Sequence, residues 1–259
     1  MYTEKEARDL VISAGLKLLE SKLIARTWGN ISARISDTQF VITPSGREYD
    51  SLKPEELVIV NISDCSYEGN IKPSSEKGIH AEAYRQRPNV NFIIHTHQHY
   101  ASAICAEEED NEFAPCAKYG LPGTDKLKDN VGLCLAIHPE YKAFLLAKHG
   151  TLCLGESYED AFDVVNTLEE KCRELFVKES RKCSKKNYLK PWLDDYAQLV
   201  GKKNPDEIKE DPEAVAIITA KNKAAAEYVK NAKPLGFVDA SLQRAVYLFK
   251  YSKMKNKNK

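Results

Sequence analysis

The chain has 259 residues, 42% of them hydrophobic and 29% charged, with 38 basic residues set against 38 acidic ones. That balance supplies no global field for a nucleic acid or a membrane surface, so function is expected in a pocket with a few local charges. There is no apolar run of the roughly 18 residues a membrane span needs, and the N-terminus is charged from Glu4 onward, which predicts neither a span nor a secretory signal but a soluble, cytoplasmic protein.

In chain order, Thr3 and Glu6 form a capping box ahead of Leu10, Val11, Ala14, Leu18 and Leu19, whose helical period predicts an amphipathic helix over residues 3–22. Trp28-Gly29-Asn30 leads into a strand in which Ile31, Ala33 and Ile35 alternate with Ser32, Arg34 and Ser36, the pattern of a half-buried strand. A second strand over 40–43 follows through Asp37-Thr38 as a hairpin and ends in the turn Thr43-Pro44-Ser45-Gly46. Residues 57–62 read as a third strand and 64–70 as a polar turn.

Residues 72–99 are the stretch the rest of the chain serves, and they read as turn, helix, turn, strand. Pro73, Ser74 and Ser75 offer turn and N-cap chemistry. Ile79, Ala83 and Tyr84 then share one helix face, and Arg87-Pro88-Asn89 ends the helix. Phe92-Ile93-Ile94 opens a strand on which His95 and His97 stand two apart, projecting to the same face about 6.6 Å from one another. A single divalent ion can bridge that gap.

Further on, residues 100–106 are expected as one or two helical turns, the acidic run 107–110 as a solvated loop, and 119–124 as a turn. A helix over 125–137 is closed by His138-Pro139. Buried strands over 144–147 and 151–154 flank Lys148-His149-Gly150. Ser157 and Asp160 cap a helix through Phe162, Val165, Leu168 and Leu175 to about Ser180. Beyond Lys182 the composition changes to an aromatic patch (Tyr188, Trp192, Tyr196), a polar stretch and two further helical runs. The expected organisation is therefore a domain over 1–182 and a C-terminal helical extension over 183–259. The seven cysteines, Cys65, Cys105, Cys116, Cys134, Cys153, Cys172 and Cys183, are odd in number and contain no C-x-x-C pair, so reduced and mostly buried thiols are expected.

Singly, each chemical feature has a bland explanation: a glutamate at a helix start favours the helix dipole, and Ser-Ser or Ser-Gly pairs are turn residues first. Together they suit a task, because neutral imidazoles suit zinc, three of them leave an open position for substrate, and a nearby carboxylate can move protons. His80, His99 and His138 fall outside that set. His80 is read as a helix-face residue that packs or hydrogen-bonds, His99 as a residue near the site or on the surface, and His138 as a turn residue.

Residues 5–180 resemble the class II aldolase and adducin-head family, and most of all its L-fuculose phosphate aldolase branch. The resemblance lies in Trp28-Gly29-Asn30-Ile31-Ser32, Thr43-Pro44-Ser45-Gly46, Ser74-Ser75-Glu76, His95-Thr96-His97, Gly123-Thr124 and His149-Gly150, six motifs in the family's order. It implies an α/β fold with a mainly antiparallel central sheet between helical layers, and a homotetramer with active sites near subunit interfaces. It also implies that His95, His97 and His149 hold Zn2+ or another divalent metal, that Glu76 is the catalytic acid/base and can itself sit on the metal, and that Gly29, Asn30, Ser45, Gly46, Ser74 and Ser75 hold a substrate phosphate.

The activity so implied is cleavage or formation of a ketose 1-phosphate, from dihydroxyacetone phosphate and an aldehyde, through a metal-stabilised enediolate. Sugar phosphate 4-epimerases of the family carry aspartate where Glu76 stands. Dehydratases share the histidines, and adducin-type scaffolds use the same fold for protein interaction. The chain departs from fuculose phosphate aldolases after the metal strand, where their longer connection carries a tyrosine. Here residues 104–116 are short and contain none.

Overall fold

A computed structural model describes residues 1–21, 23–24, 29–107 and 110–180. Trp28, Cys183 and the extension expected over 183–259, with its Tyr188, Trp192 and Tyr196, lie outside the described residues. The first helix, α1 (Glu4–Glu20), starts where the capping box requires: the Thr3 hydroxyl accepts from the Glu6 amide while the Glu6 carboxylate accepts from the Thr3 amide. The hairpin follows as β1 (Asn30–Arg34) and β2 (Gln39–Ile42), and then β3 (Val58–Asn61). The central stretch folds as α2 (Lys77–Gln86) and β4 (Phe92–Thr96), and it is followed by α3 (His99–Ile104), β5 (Cys116–Ala117) and α4 (Asp125–Ile137). The hairpin β6 (Ala143–Leu146) and β7 (Gly150–Gly155) leads into α5 (Tyr158–Ser180).

The seven strands form one sheet in the order β3-β2-β1-β4-β7-β6-β5. Every pairing is antiparallel except β5 with β6. Alternate residues feed two cores. Ile31, Phe92, Ile94 and Cys153 join Val11 and Leu18 of α1 and Phe162 and Val165 of α5 in one. On the other side Ile93, Leu152 and Leu154 pack with Ile79 and Tyr84 of α2 and Leu127 and Leu135 of α4. The sheet is thus sandwiched between helices, as the resemblance implied, and β4, which ends beside the candidate histidines, lies at its centre.

Two expectations need correction. β1 has the expected alternation but is buried on both faces, because α2 covers the side on which Ser32 and Arg34 stand. And β4 ends at Thr96, so His97 lies just past the strand rather than on it. β5, only two residues long, leaves no periodic trace in the sequence. Six of the cysteines are described, all free: four are buried, and Cys65 and Cys116 are half-buried. Among the described residues no helix is long and apolar enough to cross a membrane.

The buried Arg34 replaces solvent with carbonyl oxygens. Its guanidinium donates to Val90 O at 2.8 Å, Tyr84 O at 2.5 Å and Arg87 O at 3.1 Å. It thereby ties the end of β1 to the C-terminus of α2 and the turn into β4, the two elements that carry Glu76 and His95. Arg34→Met keeps much of the volume but takes a donor from three carbonyl oxygens, of which Arg87 O keeps the Val90 amide at 3.1 Å. We expect it to destabilise the fold by about 2–4 kcal/mol, read as a lowered urea midpoint at constant slope.

Candidate metal centre

The three histidines meet because of strand order and direction. His95 stands opposite Asn30 on β1 and Leu152 on β7. Because β7 runs antiparallel to β4, the turn that precedes β7 comes to lie beside the end of β4. That turn holds His149, with Lys148 in the left-handed region at φ 56° and the His149 amide bonded to Leu146 O at 3.0 Å. Two glycines permit the close approach. A Cβ on Gly150 would lie 2.5 Å from Thr96 O, and one on Gly29, at φ 104°, would lie 2.5 Å from His95 O. Neither position admits a side chain beside β4 and the residue that follows it.

The ligand nitrogens of His95, His97 and His149 all lie within 4.8 Å of one another, and among the described residues no other such His, Cys, Asp or Glu cluster occurs. Nε2 of His97 is 3.2 Å from Nε2 of His95. The His95 ring donates from Nδ1 to Thr151 O at 2.7 Å, which leaves Nε2 as the atom facing its neighbours. Glu76, the residue that starts α2, is only 8% exposed. Its Oε2 is 3.2 Å from His95 Nε2 and its Oε1 is 3.1 Å from His149 Nε2. The second contact lacks hydrogen-bond geometry, so Oε1 is a buried acceptor with no donor. Imidazole nitrogens and a carboxylate converging with too few hydrogens to satisfy them all are a donor set that fits a divalent cation.

The electrostatics agree with that fit. Burial resists a charge on Glu76, but the attraction of the adjoining His95 and His149 rings outweighs it and holds the carboxyl well below its usual range. Burial likewise pushes His95 down, and Glu76 more than reverses it. His97 is pushed down to about 3 by burial and by its two histidine neighbours, and burial lowers His149 as well. Without a metal the cluster thus favours one proton shared close to one carboxylate, the place a cation would take.

The expected phosphate residues are brought to the same end of the sheet. The turns around Ser45 and Ser74 are zipped together by Ser45 N to Lys72 O and Ser74 N to Thr43 O, both 2.9 Å. Ser45, Gly46 and Ser75 are exposed, while Ser74 is buried with its hydroxyl accepting from the Glu76 amide at 3.2 Å. Asn30 is different, for its carboxamide is turned inward. Nδ2 donates to Glu76 Oε2 at 2.9 Å, and Oδ1 lies 2.5 Å from His80 Nε2.

His80 packs and hydrogen-bonds on its helix face, as expected, and it is fully buried with Nδ1 2.7 Å from the Ser32 hydroxyl. Its link to the site through Asn30 left no trace in the sequence, where Ser32 reads as a residue on the polar side of a half-buried strand. Burial pushes the His80 ring down to about 3 from an ordinary value of 6.5. The unfolded chain therefore takes up a proton there near pH 6.5, while the folded protein does so only near pH 3. Stability from this group is intact above that window and lost as pH falls through it. We expect wild-type protein to lose up to about 1.4 kcal/mol per pH unit across it relative to His80→Gln. Urea midpoints of the two proteins at several pH values check the difference in slope.

Comparison with known proteins gives the family. The family described as Class II Aldolase and Adducin N-terminal domain matches residues 9–176. A 5-deoxy-D-ribulose 1-phosphate aldolase of Bacillus thuringiensis serovar kurstaki is 35% identical over 181 residues, 65% of this chain and 83% of that protein. A 3-oxo-tetronate 4-phosphate decarboxylase of Pectobacterium atrosepticum is 30% identical over 215 residues, 77% of this chain and 94% of that protein. Among solved structures, an L-fuculose 1-phosphate aldolase superposes with a TM-score of 0.62 at 27% identity, covering 69% of this chain and 88% of that one.

Proposed function

This chain belongs to the family of class II aldolases and adducin N-terminal domains, and on that premise we propose that it makes and breaks the carbon–carbon bond next to the carbonyl of a small ketose 1-phosphate, as a metal-dependent aldehyde-lyase. The observation that carries the proposal is the convergence of three imidazoles, two of them against the buried carboxylate of Glu76. His95, His97 and His149 would hold the metal, with zinc the ion their chemistry suits, and Glu76 borders two of them. A divalent ion bound there supplies Lewis-acid polarisation of the substrate carbonyl.

The chain's own residues do the rest. In cleavage the bond electrons pass toward the carbonyl, the hydroxyl proton of the departing fragment passes to solvent as that fragment becomes an aldehyde, and Glu76 takes up a proton from solvent and delivers it to the carbon left behind. In condensation Glu76 removes that proton, a general acid/base contribution of about 10²- to 10⁴-fold. Asn30 fixes one carboxylate oxygen by its 2.9 Å hydrogen bond. The exposed turns at Ser45, Gly46 and Ser75, with Gly29 and Ser74 beside them, are the proposed phosphate seat, where hydroxyls and glycine-turn amides serve as donors. The Asn30 carboxamide is assigned to Glu76 instead.

A second reading has its own support. A 3-oxo acid loses its carboxylate as carbon dioxide and leaves the same electron-rich carbon for Glu76 to protonate, but no hydroxyl proton has to be removed from a departing aldehyde. The absence of tyrosine from residues 104–116 and the 30% identity to a decarboxylase fit that simpler demand. One experiment addresses both. Purified protein supplied with a divalent metal is incubated with dihydroxyacetone phosphate and a panel of aldehydes, and separately with a phosphorylated 3-oxo acid. Condensation products support the aldolase and carbon dioxide release the decarboxylase. Neither product from a metal-loaded, folded protein would overturn the proposal.

A further inference from the structure

Beneath Glu76 a buried chain of polar groups continues past Asn30 into residues for which the proposed chemistry has so far no use. It joins Tyr84, Ser32, His80, Asn30 and Glu76. The Tyr84 and Ser32 hydroxyls are 2.8 Å apart, Ser32 Oγ and His80 Nδ1 are 2.7 Å apart, and His80 Nε2 and Asn30 Oδ1 are 2.5 Å apart. Asn30 Nδ2 completes it, 2.9 Å from Glu76 Oε2. None of the five residues is more than 8% exposed. Glu76 caps α2, and His80 and Tyr84 follow it on the helix at intervals of four, so the three share one side, and β1 contributes Asn30 and Ser32 at an interval of two, facing them.

We propose that His80 is a positioning residue, which through Asn30 holds the Glu76 carboxylate in the orientation that presents it to the three histidines. The inference rests on the assignment of Glu76 as the proton carrier. The direction of every hydrogen in the chain follows from its end. A carboxylate offers only acceptors, so the Asn30 group facing it must be the amide NH2. The Asn30 carbonyl oxygen then faces His80, whose Nε2 must carry the ring hydrogen. Nδ1 is left bare and accepts from the Ser32 hydroxyl, which in turn accepts from Tyr84. Each donor points toward the carboxylate, and each bond polarises the next in the same sense.

The opposite tautomer breaks the chain where it matters. With the hydrogen on Nδ1, Nε2 becomes an acceptor facing the Asn30 oxygen. Relief of that clash turns the carboxamide over and sets its oxygen against Glu76. The far end of the chain is held against such a change. The Tyr84 ring lies 5.1 Å from the Phe40 ring, and the Arg34 guanidinium sits over it at 4.7 Å. A side chain whose task was only to fill this space would have no need to be a histidine of fixed tautomer.

The test compares His80→Leu, which removes the donor, with His80→Gln, whose amide NH2 can replace Nε2–H. For His80→Leu we expect kcat to fall by about tenfold or more with KM and bound metal little changed, because the carboxylate is loosened and not removed. His80→Gln is expected to recover most of that loss. Independently of turnover, ring 15N shifts of His80 in metal-free wild-type protein should show the hydrogen on Nε2 and Nδ1 bare. A hydrogen on Nδ1 overturns the proposal, as does a folded His80→Leu protein with wild-type kcat. If His80→Leu fails to fold, His80→Gln and the tautomer decide. If the wild-type protein turns over no substrate, the assignment of Glu76 as proton carrier fails, and the tautomer alone judges the orientation of the chain.

Discussion

Replacing His95 with alanine is expected to strip the protein of its metal and to lower turnover by more than about 10²-fold, since loss of a group that merely orients a ligand already costs 10- to 100-fold. His95 is the ring with the most at stake. It is fully buried, its Nδ1 is fixed by Thr151 O at 2.7 Å, and its Nε2 faces both His97 and Glu76 at 3.2 Å. His95→Ala also leaves Thr151 O without that donor and Glu76 without its nearest positive partner, so a stability loss of about 1–3 kcal/mol should accompany the loss of metal. Metal per mole of protein and turnover are the two measurements. Chelator treatment of wild-type protein should match the loss of turnover, and added divalent ion should restore wild-type activity but not that of the variant. A His95→Ala protein that keeps both its metal and its activity would remove His95 from the ligand set.

Local signals carried the helices and left the site to topology. The Thr124 hydroxyl, which accepts from the Leu127 amide, marks the start of α4, and the helix found, Asp125–Ile137, is the one expected. The alternation in β1 gave the correct phase but the wrong environment, because burial of Ser32 and Arg34 depends on α2 covering that face. Strand geometry placed His95 and His97 about 6.6 Å apart on one face. In the structure the chain has left the strand at His97 and the two Nε2 atoms lie 3.2 Å apart. The pairing of His149 with them was legible only through the resemblance, since it depends on β7 running antiparallel beside β4. The inward turn of Asn30 was not legible at all. It requires the register that sets Asn30 opposite His95, and no property of residue 30 alone encodes that register.

Glu76→Gln is expected to lower turnover by about 10²-fold or more, some 2.7 kcal/mol of lost transition-state stabilisation, while most of the metal stays bound. The substitution keeps size and shape, and the surroundings can accept it. Asn30 Nδ2, now 2.9 Å from Oε2, can donate equally well to an amide oxygen, and the new amide NH2 would then point toward His149 Nε2, 3.1 Å from the present Oε1. Three histidines remain for the metal. What is lost is a group able to take up and return a proton, so kcat should fall and the fold should not. The comparison with His95→Ala makes the result specific, because one variant loses turnover with the metal kept and the other loses turnover through the metal. Unchanged turnover in a metal-loaded Glu76→Gln protein would place the proton transfer on another residue and leave the Asn30 hydrogen bond as a structural contact alone.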